Sequence, residues 1–187
     1  MAHANHETEI KLAVKSAASA RRLLKEAGFV VSRPRVFEAN MVFDTAQQLL
    51  RTSSSLLRIR QAGKLVTMTY KGIPEPGNYK SREELELKID NVTAMRAIVE
   101  RLGFECVFRY EKYRTEFHRP PQAGLAMLDE PPVGVYLELE GTPHWIDRNA
   151  RLLGFQKSDY LTDSYSKVYL DWCAAHNCPP GDMTFPE

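Results

Sequence analysis

Two acidic residues and one basic residue alternate along the first predicted strand, at Glu7, Glu9 and Lys11. Side chains of a β-strand alternate between its two faces, so these three point the same way. Glu and Lys are uncommon in strands, and a face built from them needs a reason. Carboxylate oxygens bind hard divalent cations, whereas ammonium groups bind phosphate. The pattern therefore predicts a site where a metal ion and a polyanion meet.

The same period-two spacing of polar and charged residues recurs on further predicted strands. In each strand these residues share one face, and the opposite face is mostly apolar. The sets are Arg58/Arg60, Thr69/Lys71, Glu84/Glu86/Lys88, Lys112/Arg114/Glu116 and Glu138/Glu140. We expect Lys88 and Glu116 to lie at the rim of the charged surface.

Eight strands and three or four helices are predicted to position these residues. The predicted strands cover residues 6–14, 29–43, 55–60, 65–71, 81–89, 104–119, 125–130 and 135–140. The predicted helices run from Ser16 to Ala27, Asn91 to Leu102, Pro143 to Leu153, and from a cap at Thr162 or Asp163 to about Ala175. Asp44 is predicted to cap a short turn or helix at residues 46–50. Most strand connections are hairpin-like, which predicts a largely antiparallel sheet.

Two architectures fit this pattern. An open sheet or sandwich would leave the charged faces in solvent. A closed barrel would turn them inward and leave the apolar outer faces for the helices to cover. The strongly ionic positions and the helices' need for an apolar surface favour closure, and eight strands enclose room for one small ligand. An interior with both charge signs must hold water, a divalent metal and a multiply charged anion such as a polyphosphate.

Length and composition exclude several classes of protein. At 187 residues we expect one domain, covering residues 1–187. A net charge of +1 does not suggest a nucleic-acid-binding protein. No stretch reaches the roughly 20 apolar residues that span a bilayer, and the polar start at residues 1–6 lacks the apolar run of a signal peptide.

The cysteines indicate the cellular location, and the absence of two phosphate-binding motifs excludes two classes of fold. Cys106, Cys173 and Cys178 have no disulfide-framework spacing, which favours a reduced, cytoplasmic location. The sequence contains neither a Gly-x-Gly-x-x-Gly fingerprint nor a P-loop, so those phosphate-binding folds are not supported.

The charged strands together resemble those of a known family. Glu7-Thr8-Glu9-Ile10-Lys11 resembles the ExExK signature of the CYTH domain, the triphosphate tunnel metalloenzymes, which include class IV adenylate cyclases, thiamine triphosphatases and inorganic triphosphatases. Further blocks follow in the family's order, at residues 40–45, 57–60, 69–72, 82–86, 112–114, 128–130, 137–141 and 164–167. One departure is Val42, where the family commonly has an aromatic residue.

The resemblance implies an α+β fold, an eight-stranded antiparallel closed β-barrel (tunnel) with helices packed outside. It implies that a triphosphate binds to Lys11, Arg58, Arg60, Lys71, Arg114 and Lys167, with help from Lys112. It implies that Mg²⁺ or Mn²⁺ binds to Glu7, Glu9, Glu138 and Glu140, with Asp129 and one of Glu84 or Glu86 assisting. Glu9, Lys11, Arg58 and Arg60 would form the catalytic centre.

Several functions remain open at this stage. Metal-dependent hydrolysis of a triphosphate is favoured, because a lining that is cationic on both sides suits a short polyphosphate without a base. Cyclisation of ATP to cyclic AMP and pyrophosphate would use the same metals and cations. A binding module without catalysis could dispense with several of the acids. We expect a small-molecule substrate, no nucleic-acid polymer, no membrane, and either a monomer or a homodimer.

Overall fold

Eight antiparallel strands close into a barrel in this computed structural model, which describes residues 5–186. The strands are β1 (Asn5–Val14), β2 (Val30–Thr45), β3 (Leu56–Ala62), β4 (Leu65–Lys71), β5 (Lys80–Lys88), β6 (Phe104–His118), β7 (Leu125–Glu130) and β8 (Val135–Glu140). Their order around the barrel is β1-β5-β4-β3-β2-β6-β7-β8, and β8 pairs with β1 to close it. The predicted closed barrel is confirmed. Residues 1–4 and 187 of the predicted domain lie outside the described residues.

Five helices and one 3₁₀ turn accompany the barrel within the described part of the chain. They are α1 (Ala17–Glu26), α2 (Leu49–Thr52), α3 (Val92–Arg101), α4 (Pro143–Leu152), the turn Lys157–Asp159 and α5 (Tyr165–His176). The predicted caps Ser16 and Asn91 are confirmed, because each side chain accepts a hydrogen bond from a backbone N–H of the helix it begins. None of the helices in residues 5–186 is long and apolar enough to cross a membrane.

The cap predicted for the last helix was wrong by one or two residues. Ser164, rather than Thr162 or Asp163, accepts the hydrogen bond from the backbone N–H of Lys167. Leu161 exchanges two backbone hydrogen bonds with Lys11. These bonds hold the segment just before α5 against β1. All three residue types are good caps, so this tertiary contact decides where the helix begins.

The apolar core lies outside the barrel, between the strands and the helices. Ile10 and Leu139 on the outer face of β1 and β8 pack with Leu24 of α1 and Ile146 of α4. A second cluster joins β2, β3 and α3, with Phe43, Ile59 and Val99 at its centre. Helices cover the apolar outer faces of the strands, and the charged residues at alternate positions face inward.

Helix α5 is placed differently, because one of its side chains enters the barrel. The ring of Tyr165 stacks on Tyr110 of β6, with 5.7 Å between the ring centroids. The ammonium of Lys112 lies 4.7 Å from the centroid of the same ring. Helix α5 therefore supplies part of the interior lining as well as part of the core.

Candidate functional site

The interior of the barrel is a cavity of about 1470 Å³. It is lined by 13 of the 14 residues implied as ligands: Glu7, Glu9, Lys11, Arg58, Arg60, Lys71, Glu84, Glu86, Lys112, Arg114, Glu138, Glu140 and Lys167. Six strands and one helix carry these residues. The alternation of charged and apolar residues along each strand therefore brings distant parts of the sequence to one surface.

Lys11 is held between two carboxylates in the barrel wall. Its Nζ lies 3.4 Å from an oxygen of Glu9 and 3.3 Å from one of Glu138, which stands opposite Lys11 in the β1–β8 register. Burial disfavours the charge on Lys11, but the two carboxylates outweigh it and hold the pKa of this ammonium above its usual range. Lys11 therefore stays charged in the interior.

A second cation, Lys71, bridges β1 and β5 from β4. It forms ion pairs with Glu7 and with Glu84, the latter at 3.2 Å between Nζ and the carboxylate oxygen. Glu84 lies opposite Lys71 in the β4–β5 register, whereas Glu86 accepts a hydrogen bond from the hydroxyl of Thr69 at 2.8 Å. Both acids of β5 thus reach the cavity, and only Glu84 contacts a cationic partner there.

Asp129 is the predicted ligand that does not line the cavity. Its carboxylate is fully buried, with 0% of the residue exposed. It accepts hydrogen bonds from Lys112 (2.6 Å), from two nitrogens of Arg114 (2.7 and 2.6 Å) and from the hydroxyl of Tyr165 (2.7 Å). Three of these bonds reach Oδ2 and one reaches Oδ1, so both oxygens of the carboxylate have protein partners. Asp129 thus lies outside the cavity lining and positions Lys112 and Arg114, and the metal-binding role implied for it stays a prediction.

Lys167 lies at the rim of the cavity rather than deep inside it. Its side chain is 54% exposed and pairs with Asp171 one turn further along α5. A triphosphate would have to draw it away from that partner. An exposed pair of this kind contributes little to stability, so the exchange would cost little.

Sequence reasoning missed two cations on β5. Lys80 and Arg82 both line the cavity and are buried, on the same face of the strand as Glu84. Burial lowers the pKa of Lys80 to about 8, and the charge of Lys11 contributes to this shift. The period-two pattern of Glu84 and Glu86, extended backward, would have found both. Lys80 lies just outside the strand predicted at residues 81–89, whereas Arg82 lies within it.

An acid on β2 was also missed. Glu38 is buried, with 3.4 Å between its carboxylate and Arg60 and 3.7 Å between it and Lys112. Burial alone would raise its pKa, but Arg60 and Lys112 lower it to about 2. Asn40, two residues on, accepts a hydrogen bond from Arg60 at 2.9 Å, so β2 orients this guanidinium through two side chains. The signal in the sequence was a pair of polar residues at period two, Glu38 and Asn40, within the otherwise apolar run 36–43.

A family model described as the CYTH domain matches residues 5–153. The chain belongs to the CYTH domain family. It is 30% identical over 147 residues, 79% of this chain and 83% of the relative, to a Methanocaldococcus jannaschii protein named as a candidate adenylate cyclase. The three charged residues of the ExExK signature, Glu7, Glu9 and Lys11, line the cavity of the barrel.

Solved structures share the fold. A Vibrio parahaemolyticus protein described as a candidate adenylate cyclase aligns with a TM-score of 0.74 and 20% identity, over 89% of this chain and 98% of that one. A Hippeastrum protein described as a candidate adenylyl cyclase with a dominant triphosphatase activity aligns with a TM-score of 0.61 and 23% identity, over 93% and 97%. At these identities the likeness establishes the CYTH architecture.

The acids of this CYTH domain that lie on β1 and β8 have the chemistry of a hard-cation site. Burial raises the pKa of Glu140 to about 7, and the negative charge of Glu7 adds to the shift. Burial and the charge of Glu9 likewise raise the pKa of Glu7. Such crowded carboxylates are relieved by a divalent ion. Within residues 5–186 no three acidic, His or Cys side chains already converge as a metal site, so an ion would compete with Lys11 and Lys71 for these oxygens.

Proposed function

We propose that the protein is a divalent-metal-dependent triphosphatase, which hydrolyses a phosphoanhydride bond of a triphosphate bound inside the barrel. One observation carries the proposal. Eight basic side chains from five strands line the same cavity as the acids of β1 and β8: Lys11, Arg58, Arg60, Lys71, Lys80, Arg82, Lys112 and Arg114. A lining with both acidic and basic side chains suits a polyphosphate and its metal ion, because the basic residues compensate the polyphosphate and the acidic residues compensate the metal ion.

The basic residues would bind and orient the triphosphate. Arginine forms two parallel hydrogen bonds to a phosphoryl group, and lysine acts as a compact point charge. Fixed cations in the cavity would also stabilise the charge that develops as the phosphoanhydride bond breaks. No side chain has to form a covalent intermediate. The protein's own contribution is therefore orientation and charge compensation.

The acids would hold Mg²⁺ or Mn²⁺. Glu7, Glu9, Glu138 and Glu140 lie on paired strands and face the cavity. A divalent ion bound there supplies charge neutralisation and the activation of water. Asp129 would act indirectly, because it fixes the positions of Lys112 and Arg114 from behind.

Adenylate cyclase activity is the second candidate, and one observation favours it. The cavity extends between β2, β6 and α5, where its lining includes Phe108, Tyr169 and Leu170. A triphosphate without a base gains nothing from contact with aromatic and aliphatic side chains, whereas the base of ATP could stack on them. The relative from Methanocaldococcus jannaschii is also named for this activity. Hydrolysis remains the lead because basic side chains from five strands line the cavity, which suits a short polyphosphate without a base.

The deciding experiment is an assay of the purified protein with Mg²⁺ or Mn²⁺ on tripolyphosphate, thiamine triphosphate and ATP. Phosphate, pyrophosphate and cyclic AMP are resolved separately. We expect phosphate release that is abolished by EDTA. Pyrophosphate with stoichiometric cyclic AMP from ATP would replace the triphosphatase by the cyclase, and no metal-dependent turnover of any substrate would contradict both.

A pair of arginine variants tests whether the cavity is the site. Arg58→Gln removes a buried cation from β3 and should lower kcat/KM by about 10²–10³-fold. Arg101→Gln removes an exposed arginine at the end of α3 and should leave kcat/KM unchanged. Equal activity of the two variants would place the reaction outside the barrel.

A further inference from the structure

Two of the three cysteines of the chain meet at the carboxyl end of α5. The helix ends at Asn177, whose φ of 53° lies in the left-handed region. The backbone N–H of Cys178 donates to the carbonyl of Cys173 at 3.1 Å, and that of Asn177 donates to the carbonyl of Ala174 at 3.4 Å. This pair of bonds is a Schellman motif, in which the side chains at the two ends of the outer bond commonly touch. Those ends are Cys173 and Cys178.

The two thiols lie side by side but differ in exposure. Partial burial raises the pKa of the Cys178 thiol, and the neighbouring thiol of Cys173 adds to the shift. Cys173 is only 2% exposed, whereas Cys178 is half-buried. Residues joined by a backbone hydrogen bond lie near the separation of about 4.4–6.8 Å that a disulfide requires between Cα atoms. An oxidant in solution therefore reaches Cys178 first and finds Cys173 beside it.

The chain that follows Cys178 forms part of the cavity wall. Residues 180–182 line the cavity, as do Tyr169 and Leu170 of α5. Met183 exchanges two backbone hydrogen bonds with β6, both at 2.9 Å, and is 1% exposed. This wall segment (residues 179–183) is therefore fixed to β6 at one end and to α5, through the Schellman motif, at the other. A bond between the two thiols would make the attachment to α5 covalent.

We propose that Cys173 and Cys178 form a reversible disulfide, with a small-molecule disulfide such as oxidised glutathione as the oxidant, and that this bond fastens the wall segment to α5. The thiolate of Cys178 attacks one sulfur of the oxidant, forms a mixed disulfide and releases one thiol. The thiolate of Cys173 then attacks Sγ of Cys178, closes the protein disulfide and releases the second thiol. Two electrons pass to the oxidant, and the two cysteine protons end on the released thiols.

The test is a titration of the purified protein with oxidised and reduced glutathione, followed by alkylation of the free thiols, intact mass and peptide mapping. The raised pKa of Cys178 slows its attack, so each mixture has to reach equilibrium. We expect the wild type to lose two of its three thiols and to regain both in excess reduced glutathione. Cys106→Ser is the matched control and should still form the disulfide, whereas Cys178→Ser should not.

Variants of Asn177 test whether the Schellman motif is what pairs the thiols. Glycine adopts a positive φ without strain, so Asn177→Gly should form the disulfide as readily as the wild type does. A β-branched side chain disfavours the left-handed region. Asn177→Val should therefore need about 10-fold more oxidised glutathione for half-oxidation.

Hydrogen exchange measures the fastening of the wall segment itself. In the oxidised wild type the backbone N–H of Met183 should exchange about 10-fold more slowly than in the reduced protein, because the disulfide restricts local opening of the segment. Reduction should restore the faster rate. Cys178→Ser in the same glutathione mixtures is the control and should show one rate throughout.

Three results would overturn the inference. The first is a wild type that keeps all its thiols or stops at the mixed disulfide with glutathione. The second is a disulfide that includes Cys106. The third is a Cys173–Cys178 disulfide that leaves the exchange of Met183 unchanged, since the bond would then fasten nothing. None of these results bears on the proposed function, which the turnover assay tests separately.

Discussion

At the scale of single residues, Asp129 is the anion on which two interior cations depend. Replacing it by alanine leaves Lys112 and Arg114 short of their shared partner. We expect Asp129→Ala to lower the free energy of unfolding by about 3–5 kcal/mol, measured by urea denaturation in EDTA. Glu130 pairs with two partly exposed arginines, so Glu130→Gln should lower the free energy of unfolding by less than about 1 kcal/mol. A stability loss of Asp129→Ala seen only with metal present would support a metal-ligand role for Asp129.

Glu140 makes stability depend on pH in the opposite sense to an ion-paired acid. Its pKa is about 7 in the folded protein and 4.5 as the reference value, so the folded state holds the proton more tightly. The resulting stabilisation is complete below pH 4.5 and is lost as the pH rises through 7. Between pH 5 and pH 8 in EDTA, Glu140→Gln should therefore gain roughly 1–3 kcal/mol relative to the wild type. Urea denaturation at both pH values measures this, and parallel pH profiles would contradict it.

At the scale of elements, Asp44 connects the end of β2 to α2. Its carboxylate accepts hydrogen bonds from the backbone N–H groups of Leu50 and Arg51, both at 2.9 Å, which confirms the capping role expected from the sequence. Asp44→Ala should cost about 1–2 kcal/mol of stability, and Asp44→Asn less, because an amide oxygen still accepts. Urea denaturation of the two variants checks the order. Equal losses would show that charge, not capping, is what Asp44 supplies.

The elements also show how far a sequence can be interpreted. Alternation along β1 and β6 correctly predicted which side chains share a face, because the period of a strand is a local property. Which cations have partners is not local. Lys11 is compensated by Glu138, 127 positions away, whereas Arg82 is not compensated at all by an ion pair among the described residues. That difference depends on strand register and closure, which no pattern within one strand contains.

At the scale of the whole molecule, the cavity has a charged portion and a portion lined by aromatic and aliphatic side chains. Tyr169→Ala shortens the aromatic stack that Tyr169 forms with Phe108 and Trp172. We expect this variant to raise KM for ATP about 5-fold or more, since the stacking surface for a base is reduced, and to leave KM for tripolyphosphate unchanged. Steady-state kinetics on both substrates measures the ratio. Equal changes in both KM values would show that this surface does not recognise a base.

Closure of the barrel also sets an order of events during protein synthesis. Strand β1 emerges first, yet its two neighbours are β5 and β8, so its second edge stays unpaired until Glu140 has left the ribosome. At ordinary translation speeds this leaves β1 waiting on the order of 10 s. Through that interval Ile10 and Leu12 are an apolar surface on an open strand edge, while Glu7, Glu9 and Lys11 keep the other face hydrated. We therefore expect the charges that line the finished cavity also to limit aggregation of the nascent chain.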